Sequence, residues 1–100
     1  ELYPLAKEAF DEKPCRPTIV NLMKLQKSEK VIDDIEAFLN DFVKNRDTYR
    51  EQKGYLKRLN IANTSARFLA NRQPAKRPDY LALSEDFVRD AKAIEPRLVW

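Results

Sequence analysis

Ten cations stand in the 35 residues from 44 to 78: Lys44, Arg46, Arg50, Lys53, Lys57, Arg58, Arg67, Arg72, Lys76 and Arg77. Only Asp47 and Glu51 oppose them, so this segment carries ten positive and two negative charges, a net +8. Residues 1–43 hold six basic and nine acidic side chains and residues 79–100 hold three and five, so the overall +3 conceals a basic centre between two acidic ends. Cations at this density repel one another, and a polyanion both relieves that repulsion and releases its own counterions. Tyr49, Tyr55 and Phe68, with Asn45, Asn60, Asn63 and Asn71, are interleaved among the cations and offer rings for stacking and amides for phosphates and base edges.

The pattern points to Arg46, Arg50, Lys53, Lys57, Arg58, Arg67, Arg72, Lys76 and Arg77 as the residues that hold nucleic acid or an acidic protein surface, with DNA and RNA undistinguished. On this reading, replacing Arg50 and Lys53 together by Glu abolishes binding. Two other readings use the same residues. In one, the cations form a solvated face neutralised by Glu29, Asp33 and Glu36. In the other, they flank an apolar groove of a protein-interaction or assembly module, self-association included, and an exposed apolar patch around Val43, Tyr49, Phe68 or Trp100 would betray it.

Other chemistries find little material. Histidine is absent, which removes the usual general base near neutral pH and the commonest metal ligand. Gly54 is the only glycine, so phosphate-cradling loops and the glycine-dependent RNA-binding loops are excluded, and zinc fingers need ligands this chain lacks. A helix-turn-helix over residues 18–43 would have no turn glycine and would set an acidic stripe against the DNA backbone. Glu29, Asp33 and Glu36 share a helix face, but one turned to water, where carboxylates keep ordinary acidity. A Ser–Lys dyad on Ser28, Ser65 or Ser84 is the one nucleophilic arrangement left open. The chain is expected to be no enzyme and to use no cofactor or metal. Cys15, between Lys13 and Arg16 and flanked by Pro14 and Pro17, reads as a free thiol in a stiff loop whose neighbouring cations could lower its pKa.

The elements that must position these residues are helical. One glycine among 100 residues cannot supply the turns of an all-β chain. Apolar spacing predicts a helix over 2–12, a second capped by Thr18 and running to about Lys27, and a third capped by Ser28 and carrying Val31, Ile35, Phe38, Leu39, Phe42 and Val43. On a helical wheel, Arg46, Arg50, Lys53 and Lys57 continue the stripe of Ile35 and Phe42, so a straight helix would turn its buried face cationic. A break is expected near Asn45 to Thr48, with Thr48 to Glu51 as a capping box, or else at Gly54. A further helix runs from Tyr55 to about Arg72, residues 73–78 form a proline loop, and Ser84 caps a last helix that Pro96 closes. Leu98, Val99 and Trp100 are apolar enough to dock on the core.

The expected fold is all-α, an irregular bundle of four to six helices around Leu5, Phe10, Ile19, Leu22, Ile35, Phe38, Phe42, Leu56, Leu59, Leu69 and Phe87. One hundred residues suffice for one such domain, and Glu1 in place of methionine favours a piece excised from a longer protein over a processed product. No apolar run approaches membrane-spanning length and nothing marks an oxidising compartment, so a soluble intracellular domain, cytoplasmic or nuclear, is expected.

Overall fold

Three of the six prolines open helices. Pro4, Pro17 and Pro78 each sit in a first turn, where the missing N–H has no intrahelical partner to lose and the fixed φ already suits the helix. The computed structural model describes residues 2–25 and 28–98, which form six α-helices and, among the described residues, no strand. They are α1 (Tyr3–Glu12), α2 (Arg16–Met23), α3 (Glu29–Lys44), α4 (Arg46–Arg50), α5 (Tyr55–Arg72) and α6 (Arg77–Ile94), with a 3-10 turn at Pro74–Lys76. The architecture is the expected all-α bundle.

Several boundaries differ from the sequence reading, each for a local reason. The cap of α2 is Cys15, whose backbone N–H donates to Thr18 Oγ1 at 3.0 Å, so Thr18 serves from inside the first turn. α2 ends at Met23, and the expected end at Lys27 lies outside the described residues. Ser28 is the extended residue before α3, as expected of a cap, but its side chain makes no capping bond. The break after α3 falls at Asn45, whose amide donates to the carboxylate and the carbonyl of Asp41. Thr48 to Glu51 forms no capping box, because α4 has already begun at Arg46. Gly54, at φ 84°, turns the chain into α5 through a backbone conformation that side-chain-bearing residues rarely adopt. The last helix starts at Arg77 rather than near Ser84; Ser84 is buried in mid-helix and donates to Asn63 Oδ1 on α5.

α5 is the central helix. It packs against α2, α3 and α6, and Leu59, Ile61, Ala62, Ala66, Leu69 and Ala70 are buried along it. Ile19 and Leu22 come from α2, Val31, Ile35, Leu39 and Phe42 from α3, and Phe87 and Ala91 from α6. Phe42 anchors the middle: it stacks on Tyr49 and Tyr55 with centroids 5.9 and 6.0 Å away and meets Phe87 edge to face at 5.4 Å. Phe38 and Leu56 pack at the core margin, as does Leu98; Val99 and Trp100 lie outside the described residues. Leu5 is not in the core and is 65% exposed. α1 docks by its other face, with Phe10 edge-on to Phe38 and the Tyr3 hydroxyl donating to Asp34, which leaves Leu2, Leu5 and Ala9 outward. That bond to a carboxylate raises the Tyr3 phenol to about 12, with desolvation adding to it. No described helix is long and apolar enough to cross a membrane.

Candidate functional site

The nine cations singled out in the sequence divide into separate places. Arg46 continues the inward-facing stripe of α3, and the break at Asn45 does not turn it outward. Instead, α6 brings carboxylates to meet it. Arg46 Nη1 lies 2.5 Å from Asp86 Oδ2, Nη2 lies 3.0 Å from Asp90 Oδ2, and Nε donates to Tyr55 Oη at 3.0 Å. Its guanidinium covers the Phe87 ring, 5.1 Å from the centroid. Tyr55 Oη donates to Asp90 Oδ2 at 2.6 Å, and Arg50 Nη1 reaches Asp90 Oδ1 at 3.2 Å while lying over the Tyr55 ring.

This corner holds its charges firmly. Burial by itself would lower the pKa of Arg46, but the hydrogen bonds to Tyr55, Asp86 and Asp90 outweigh it, hold it above the ordinary guanidinium value and keep the group cationic. Burial pushes the Asp90 carboxyl up, yet the bonds from Tyr55 and Arg46 and the charge of Arg50 win and hold it below the ordinary carboxylate value. Burial raises the Tyr55 phenol. Arg46 and Arg50 are therefore matched to acidic partners some 40 residues downstream, and Tyr55 is buried against them, removed from any role as a stacking platform.

Lys53, Lys57, Arg58, Arg67 and Arg72 have a different setting. Along α5, Lys57, Asn60, Thr64, Arg67 and Asn71 fall within about 80° of one another on a wheel of 100° per residue. α2 and the linker before it lie alongside, and three open depressions border α5 on that side. Pro14, Lys53, Gly54, Lys57 and Arg58 line the first. Arg16, Asn60, Asn63, Thr64 and Arg67 line the second. Val20, Met23, Lys24, Phe68, Asn71 and Arg72 line the third. No carboxylate among the described residues lines any of the three. Among the described residues, none of Arg16, Lys24, Lys53, Lys57, Arg58, Arg67 and Arg72 has an acidic group within 4.0 Å.

Two of these cations are braced by rings. The Arg58 guanidinium lies 4.5 Å from the centroid of Tyr49, and that of Arg72 lies 5.3 Å from Phe68. The rings read in the sequence as bare stacking surfaces are thus either buried or already covered by an arginine plane. Lys76 and Arg77 are exposed beyond the far end of α5, at the turn into α6, and line none of these depressions.

Arg16 and Lys24 were not among the residues singled out in the sequence, because they lie outside the basic segment. Their signal is the four-residue spacing of Arg16, Val20 and Lys24, which puts them on one face once α2 is known to start at Arg16. Cys15 is buried, with its thiol held below the ordinary value chiefly by its hydrogen bond with Thr18 and less by Lys57 and Lys13. Of the acidic stripe, Glu29 and Asp33 are exposed, whereas Glu36 accepts from Gln73 at 2.8 Å and from Tyr80 at 3.4 Å. Of the apolar residues that would mark a protein interface, Val43 is 42% exposed, Tyr49 and Phe68 are half-buried, and Trp100 lies outside the described residues.

Comparison of the chain with protein-family models, with curated protein sequences and with solved structures finds no match.

Proposed function

We propose that this chain is a non-enzymatic binding module that holds nucleic acid along the α2–α5 surface. The observation that carries the reading is the alignment of Arg16, Lys24, Lys53, Lys57, Arg58, Arg67 and Arg72 along depressions that, among the described residues, no carboxylate lines. No ion pair among the described residues offsets their mutual repulsion, so an anionic chain laid along them gains from every contact and from the counterions it gives up. Asn60, Thr64 and Asn71 add neutral hydrogen-bonding groups between the cations, suited to phosphate oxygens and base edges. Arg46 and Arg50 are left out of this surface, because Asp86 and Asp90 already satisfy them.

Fluorescence-anisotropy titration of a labelled oligonucleotide with the wild-type chain and with Lys57→Glu/Arg67→Glu tests the proposal. Both residues are exposed and make no ion pair among the described residues, so the variant is expected to keep its helical circular dichroism and to lose affinity by roughly 100-fold. Unchanged affinity in the folded variant would remove the reading, and tight binding to an acidic protein with none to oligonucleotides would replace it with the protein-interaction alternative.

A further inference from the structure

We infer that the occupant of the α2–α5 surface is a single strand of RNA or DNA tracked by its phosphates, not a duplex; this rests on the nucleic-acid reading above. Shape gives the first argument. A helix that reads duplex DNA must project as a ridge about 10–12 Å across into a major groove about 12 Å wide. α5 cannot, because α2 packs beside it at helix-contact separation and the pair is about twice that width. Its cations line hollows between helices, where a strand can lie but a groove cannot be entered.

Charge spacing gives the second argument. From Lys57 to Arg72 α5 rises about 22 Å. Arg16, Lys24, Lys57, Arg58, Arg67 and Arg72 border that length, about one cation per 4 Å, close to the one phosphate per about 3.4 Å of a stacked single strand and well short of the one per about 1.7 Å of a duplex.

The arginine planes give the third. Arg58 lies over Tyr49 and Arg72 over Phe68, with guanidinium carbons 4.5 and 5.3 Å from the ring centroids, and a guanidinium braced by a ring in this way offers a surface on which an unpaired base stacks whatever its identity. Paired bases inside a duplex are closed to such stacking. The surface is accordingly tolerant of sequence.

The test compares ten-nucleotide single strands of RNA and of DNA, of two unrelated sequences, with a hairpin duplex of the same composition, each titrated at several salt concentrations. Single strands are expected to bind at least tenfold more tightly than the duplex, nearly independently of sequence. The log–log salt slope is expected near −5, from seven contacts, Lys53 included, at about 0.7 each. A duplex that binds as tightly as the single strands or more so overturns the single-strand inference and leaves the nucleic-acid reading intact. Absence of binding to every oligonucleotide at low salt overturns both.

Discussion

Arg46 and Lys57 belong to the same basic segment and lie on the same extended helical stripe, yet they end in opposite circumstances. Arg46 is folded inward over Phe87 and grips Asp86 and Asp90. Lys57 stands at the edge of a hollow shared with Pro14, Lys53, Gly54 and Arg58, without a carboxylate in reach among the described residues. The difference is made by α6, whose Asp86 and Asp90 reach Arg46 and Arg50 on α4 and Tyr55 at the start of α5. A high local charge is thus two things at once in this molecule, an internal clamp at one corner and an unspent surface on another, and the placement of distant carboxylates decides which.

The largest expected effect breaks the clamp. Arg46→Ala leaves Asp90, whose side chain is 15% exposed, without its main cationic partner, and is expected to cost about 3 kcal/mol, between the values for exposed and fully buried pairs. That corresponds to a melting temperature lower by 10 °C or more for a chain of this size. Oligonucleotide affinity measured well below that temperature is expected to stay within twofold of wild type. A variant as stable as wild type, or one that stays folded and fails to bind, would erase the distinction between the two regions.

A second pair of variants divides two neighbours. Arg50→Gln removes a cation already bound to Asp90, and Lys53→Gln removes one from the first depression. The Lys53 change is expected to weaken oligonucleotide binding about fivefold and to lower the salt slope by about 0.7, with the Arg50 change affecting binding less than twofold. Equal losses would return Arg50 to the binding surface.

The smallest effect is in acid. Asp90 has a folded-state value below that of the unfolded chain, so its contribution to stability is complete above about pH 4 and disappears as pH falls through the lower, folded value. Urea unfolding followed from pH 6 to pH 2 is expected to show Asp90→Asn losing less stability over the acid limb than wild type, from a lower starting point at pH 6. Parallel curves for the two chains would deny Asp90 that role.

How much of this was legible beforehand follows from the range of the interactions. The helices themselves were readable, because a stripe such as Val31, Ile35, Leu39 and Phe42 is a local repeat. Helix starts at Arg16 and Arg77 were not, since Pro17 and Pro78 read as breakers when they sit in first turns. The excess of cations was readable, but the division of labour among them was not. Nothing within ten residues of Arg46 signals that Asp86 and Asp90 will meet it, and nothing near Arg67 signals that Arg16 will stand opposite. Leu5 misled for the same reason: its spacing is right for a core position, and only the docking of α1 through Tyr3 and Phe10 turns it outward.

Backbone amide shifts report directly where an oligonucleotide lies. In a 15N-labelled chain titrated with a single-stranded oligonucleotide, the signals of Arg16, Lys57, Asn60, Thr64 and Arg67 are expected to move in step with binding while those of Arg46, Asp86 and Asp90 remain fixed. Movement centred on Arg46, Asp86 and Asp90, with α2 and the outer face of α5 unaffected, would contradict that placement.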